Sequence, residues 1–194
     1  MSLIQEPSVG KYANRMKGLF YTHLEPIAVS TKGPTSTPAR DQTILEYGVT
    51  FCDNSILRGM ETLIEEGGRV EAIRYGYEYQ RPSGFFFFYE MEQTPQPPGD
   101  KDSPIDAATQ IRKPYCHLHV GAQKESIDRL EGFPPELRKH DGPHYGTFRV
   151  SLDYVLAVIV VNYFPEHKAV LSALNLGDFL DRTRTQFPTA YHLI

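Results

Sequence analysis

Two histidines separated by one residue, His117 and His119, lie in the run Ile111-Arg112-Lys113-Pro114-Tyr115-Cys116-His117-Leu118-His119-Val120-Gly121. Imidazole is the side chain whose ordinary pKa lets it take and give protons near neutrality. In an extended strand alternate side chains share a face, so this spacing sets the two imidazoles side by side while Cys116, Leu118 and Val120 turn to a core. Such a pair suits two chemistries. Metal-independent cleavage of RNA needs a base for the 2′-hydroxyl, an acid for the leaving oxygen and a cation against the developing charge; His117, His119 and Arg112 or Lys113 contain that set. Alternatively, a His-x-His pair chelates zinc or another transition metal, with His140, His144 or Asp141 closing the site. Against both stands the plain expectation that these are surface or interface histidines, since so short a motif arises often by chance. Either chemistry requires the pair to open onto a cleft.

The elements that would hold this pair are mostly strands. Thr43 to Phe51 is rich in β-formers, Asp53-Asn54 signals a turn, and Ile56 to Ile64 returns as a second strand. Glu65-Glu66-Gly67-Gly68 reverses the chain into Val70 to Tyr79, where Ile73, Tyr75, Tyr77 and Tyr79 fall on one face of an alternating pattern. Arg81-Pro82-Ser83-Gly84 forms the next turn, and Phe85 to Met91 the next strand. Its aromatic run, Phe85 to Tyr89, cannot bury every ring on one face. A central strand with a helix on one side accounts for it most simply, and stacking of single-stranded bases is the functional alternative.

Residues 1–41 read as an N-terminal arm, with Ser30 to Arg40 a mobile loop of Ser, Thr, Gly and Pro. Residues 93–110, rich in proline and charge, read as an exposed insertion. Lys124 to Leu130 makes a short helix at most, and Thr147 to Val150 a last strand. Ser151 can cap a helix that runs to about Tyr163, with a strand as the alternative given its β-branched content, and a further helix spans His167 to about Thr183. The expected fold is therefore α+β: one domain over 1–194, with a central antiparallel meander in 42–121 and C-terminal helices from 122–194 packed on one face.

Composition narrows the function further. With 194 residues, 40% of them hydrophobic, the chain supports one core of ordinary size. A formal charge of −4 gives no broad basic field for tight, unspecific nucleic-acid binding. Two cysteines far apart, Cys52 and Cys116, read as reduced thiols. The absence of a long apolar run points to a cytoplasmic protein with no membrane role. No Walker, dinucleotide-glycine, Gly-x-Ser-x-Gly or His-Glu-x-x-His pattern is present, which disfavours several large enzyme classes.

Asn54 to Gly121 resembles the TumE-like family, regarded as toxins of bacterial toxin–antitoxin systems. The likeness lies in Ser55-Ile56-Leu57-Arg58-Gly59-Met60-Glu61, in Arg74-Tyr75-Gly76-Tyr77-Glu78-Tyr79-Gln80, in Gly84 to Glu90, and in the His-x-His and Val-Gly ending of Pro114 to Gly121. That family's Pro-His-His turn after the aromatic strand is missing, and its Pro-His-His-x-His ending is reduced here. The resemblance implies an RNA-directed ribonuclease toxin or a degenerate relative, acting on single-stranded RNA and paired with a cognate antitoxin. It carries over Glu61, Tyr77, His117 and His119 as site residues. The alternative class is a non-catalytic protein-binding module, a homodimer in one form, whose aromatic strand and loop bind a protein partner.

Overall fold

The computed structural model describes residues 4–91, 116–122 and 145–176. Among them, seven strands form one antiparallel sheet in chain order, β1 (Ala28–Ala39), β2 (Gln42–Phe51), β3 (Ile56–Glu66), β4 (Arg69–Gln80), β5 (Phe85–Met91), β6 (Cys116–Ala122) and β7 (Tyr145–Gly146). Two α-helices, α1 (Val9–Gly18) and α2 (Leu152–Tyr163), lie on one face of this sheet with a 3-10 segment, Pro165–Ala173. The α+β class, the meander and the helices on one face agree with the reading of the sequence. No helix among the described residues is long and apolar enough to cross a membrane.

The turns follow from their residues. Gly67 and Gly68 both take positive φ, at 58° and 70°, which lets a two-residue loop join β3 to β4 with Glu66 paired to Arg69. Asn54, at φ 63°, makes the turn between β2 and β3. In β2 to β5 alternation then sets the faces. Leu45, Tyr47, Val49, Phe51, Leu57, Leu63, Tyr75, Tyr77, Tyr79, Phe87 and Met91 are buried on the helix side.

Four expectations need correction. Ser30 to Arg40, except for Arg40 itself, is not a loop but most of β1, which pairs with β2 apart from irregularities at Val29 and at Gly33-Pro34. It is the sheet's edge, where Pro34 and Pro38 cost no ladder bond, so composition misleads there. The arm before it contains α1, whose Ser8 hydroxyl caps the helix by accepting the Lys11 N–H. Ile73 leaves the tyrosine face, because a register shift between Thr62 and Leu63 pairs Leu63 with Ala72 and brings Val70 into the core. Among the described residues the last strand is Tyr145–Gly146 rather than Thr147 to Val150; beyond it the Val150 N–H donates to the Tyr75 hydroxyl at 3.0 Å and the chain turns into α2.

α2 settles as a helix despite its valines. Ser151 accepts the Tyr154 N–H, and Leu152, Val155, Leu156, Ile159 and Val160 repeat at helical spacing into the core. Tyr154 and Tyr163 bring their rings to Tyr89 and Tyr79 on the sheet, at 6.1 and 5.2 Å between centroids. The helix expected from His167 begins two residues earlier as the 3-10 segment, and by Leu174 the chain is extended. Helix 124–130 and insertion 93–110 fall outside the described residues.

Candidate functional site

β6, next to the short edge strand β7, carries the histidine pair on the far face of the sheet. Cys116, Leu118 and Val120 lie opposite Met91, Tyr89 and Phe87 in the β5–β6 ladder, and so belong to the helix side. His117 and His119 lie opposite Glu90 and Phe88 and share the other side with them. The side-by-side placement of the imidazoles holds: their ring centroids are 4.8 Å apart with planes at 68°. The expected open cleft does not. His117 is 0% and His119 4% exposed, so both sides of this strand are covered.

Glu90 is the residue the sequence did not disclose. Its Oε2 lies 3.3 Å from His117 Nε2 and 3.8 Å from His119 Nε2, and one donor atom from each of the three side chains falls within 4.8 Å of the others. A metal held at about 2.0–2.2 Å by such nitrogens and oxygens keeps its donors roughly 3.0–3.5 Å apart. Both carboxylate–imidazole separations are close to this, while the widest separation in the set, up to 4.8 Å, has to shorten for all three donors to meet one ion. Two imidazoles and one carboxylate form a donor set that zinc and iron(II) both accept.

The remaining candidates divide. Glu61 and Tyr77 do come together, but on the helix face: the Tyr77 hydroxyl donates to Glu61 Oε1 at 2.6 Å, and Tyr12 of α1 donates to the same carboxylate at 2.9 Å. Glu61 pairs with Tyr75, and Tyr77 with Tyr89 and hence Leu118, so this pair lies across the sheet from His117 and His119. Burial drives the Glu61 carboxyl up to about 7, against the lowering effect of the phenols that donate to it. Burial and the facing Glu61 in turn push the Tyr12, Tyr47 and Tyr77 phenols well above their usual range. Arg112, Lys113, His140, Asp141 and His144 lie outside the described residues.

Comparison with protein-family models, with curated proteins and with solved structures gives no match for this chain. The site therefore stands on its own geometry.

Proposed function

We propose that this chain is a transition-metal-binding protein whose centre is built by Glu90, His117 and His119. The observation that carries this reading is the convergence of one carboxylate and two imidazoles within 4.8 Å on adjacent strands. Among the described residues the set supplies three protein donors, the number that catalytic zinc sites use alongside water or a substrate oxygen. Zinc and iron(II) are the ions this donor set fits. The burial of both imidazoles supports metal ligation over direct chemistry on a polymer, which would have to reach them.

A second reading keeps the pair as base and acid of a toxin-like ribonuclease with a cognate antitoxin. It is favoured by the 4.8 Å ring separation, which suits two groups acting on one phosphodiester. A chelator separates the two. Under the metal reading, the treated chain rebinds Zn²⁺, and any hydrolytic activity is lost with the metal and returns with it. Cleavage of single-stranded RNA that survives the chelator, from a chain that takes up no Zn²⁺, would overturn the metal reading in favour of acid–base chemistry.

A further inference from the structure

Resting on that metal reading, we infer that Phe88, seated over Gly76, is a positioning residue that fixes the ring plane of His119 and so sets the geometry of the centre. Phe88 is the direct partner of His119 across the β5–β6 ladder, and their rings lie 5.7 Å apart with 28° between planes. His119 also meets the His117 ring nearly edge-on, so two flat groups bound it from different sides. The terminal torsion of a histidine is broad, and a stacked ring is what narrows it. Groups that orient a ligand imidazole in this way govern affinity without touching the ion.

The place of Phe88 is set in turn from β4. A Cβ added at Gly76 would come 3.1 Å from Phe88 Cε2 and 3.2 Å from Cζ, tighter than ordinary contact, so any side chain there displaces the ring. Glycine inside a strand is unfavourable by roughly 0.5–1 kcal/mol relative to alanine. What it supplies at 76 is room. Gly76 belongs to the tyrosine-rich strand yet lies on the histidine face, as the ladder partner of Glu90, and a Cβ added there meets Phe88 but no donor atom within 4 Å.

Co²⁺ titration of the full chain tests this, read by the visible ligand-field spectrum and by the dissociation constant, with thermal unfolding as the control for folding. Gly76→Ala and Phe88→Leu are expected to alter the spectrum and weaken binding roughly 10–100-fold. Phe88→Tyr, which keeps the stacked ring, should restore both. Gly76→Ala retains every donor and Phe88 itself, so it decides the matter should Phe88→Leu not fold. Spectra and affinities unchanged in the folded variants would overturn the inference while leaving the metal reading intact. A parent chain that binds no Co²⁺ would overturn both.

Discussion

Glu61 and His117 point to opposite faces of one sheet: Glu61 shares the helix face with its ladder partner Tyr75, and His117 shares the far face with Glu90. The residues that the family resemblance groups together therefore form two separate clusters. The helix-face cluster joins α1 to the sheet, and its chemistry is expressed in stability.

Glu61 should make that stability depend on pH. It is faced by Tyr12 from α1, Tyr47 from β2, Tyr77 from β4 and Asp153 from α2, with Arg15 beyond them. Its carboxyl is raised from the ordinary 4.5 to about 7, so the folded state favours the neutral acid. The contribution is fully present below pH 4.5, is lost as pH rises to about 7, and stays constant above, a difference on the order of 3 kcal/mol. Glu61→Gln should flatten the stability curve across that window in urea titrations at several pH values. A variant that keeps the full slope would show that Glu61 is not the titrating group.

The tie between the two helices is a second point of test. Arg15 donates to both oxygens of Asp153 at 2.7 and 2.9 Å, also pairs with Glu6, and Asp153 further accepts the Asn175 N–H at 3.0 Å. Asp153 is buried, so its removal takes the acceptor from the Asn175 amide and leaves the Arg15 guanidinium only Glu6 as a carboxylate partner. Asp153→Ala should cost about 3 kcal/mol in chemical denaturation. A loss under about 0.5 kcal/mol would place the pair among surface contacts of no consequence.

How far the sequence discloses this fold depends on where alternation has a buried face to act on. Tyr75, Tyr77 and Tyr79 mark β4 because only one side of it is packed by helices, whereas β1 at the sheet edge is mostly exposed and its Ser, Thr and Pro residues look like loop. Likewise, His117 and His119 are visible as a pair because two residues on one strand suffice. Glu90 is hidden because it reaches them only through the β5–β6 pairing, across a long intervening stretch of chain. A search for ligands near in sequence leads instead to His140 and His144. The bulge at Thr62/Leu63 leaves no mark in composition at all.

Thiol access checks the facing of β6. Cys116 is buried on the helix side next to Tyr75, and Cys52 is exposed. Burial also pushes the Cys116 thiol up, which disfavours the reactive thiolate. One thiol should label in the native chain and the second only on denaturation, with peptide mapping assigning the first to Cys52. Rapid native labelling of Cys116 would reverse the strand's faces and dissolve the proposed centre.

The Tyr47 ring occupies the space over Gly59, where an added Cβ would land inside the ring. Tyr47 also packs against Phe20, at 5.3 Å between centroids, so it cannot retreat freely. Gly59→Ala should destabilise by about 1–3 kcal/mol in the same assay. An unchanged midpoint would mean that the β2–β3 packing differs from that described.

The central claim rests on whether Glu90, His117 and His119 hold a metal, and equilibrium dialysis of the metal-stripped full chain against Zn²⁺, with elemental analysis of the protein, measures this most directly. Expected is one Zn²⁺ per chain, binding that falls at least tenfold in Glu90→Gln and is abolished in His117→Gln, with both variants shown folded by hydrogen exchange in β4 and β5. Zn²⁺ at 100 times its dissociation constant should also raise the stability of the parent by about 2.7 kcal/mol. A parent chain that takes up no Zn²⁺, or folded variants that take up as much as the parent, would contradict the account.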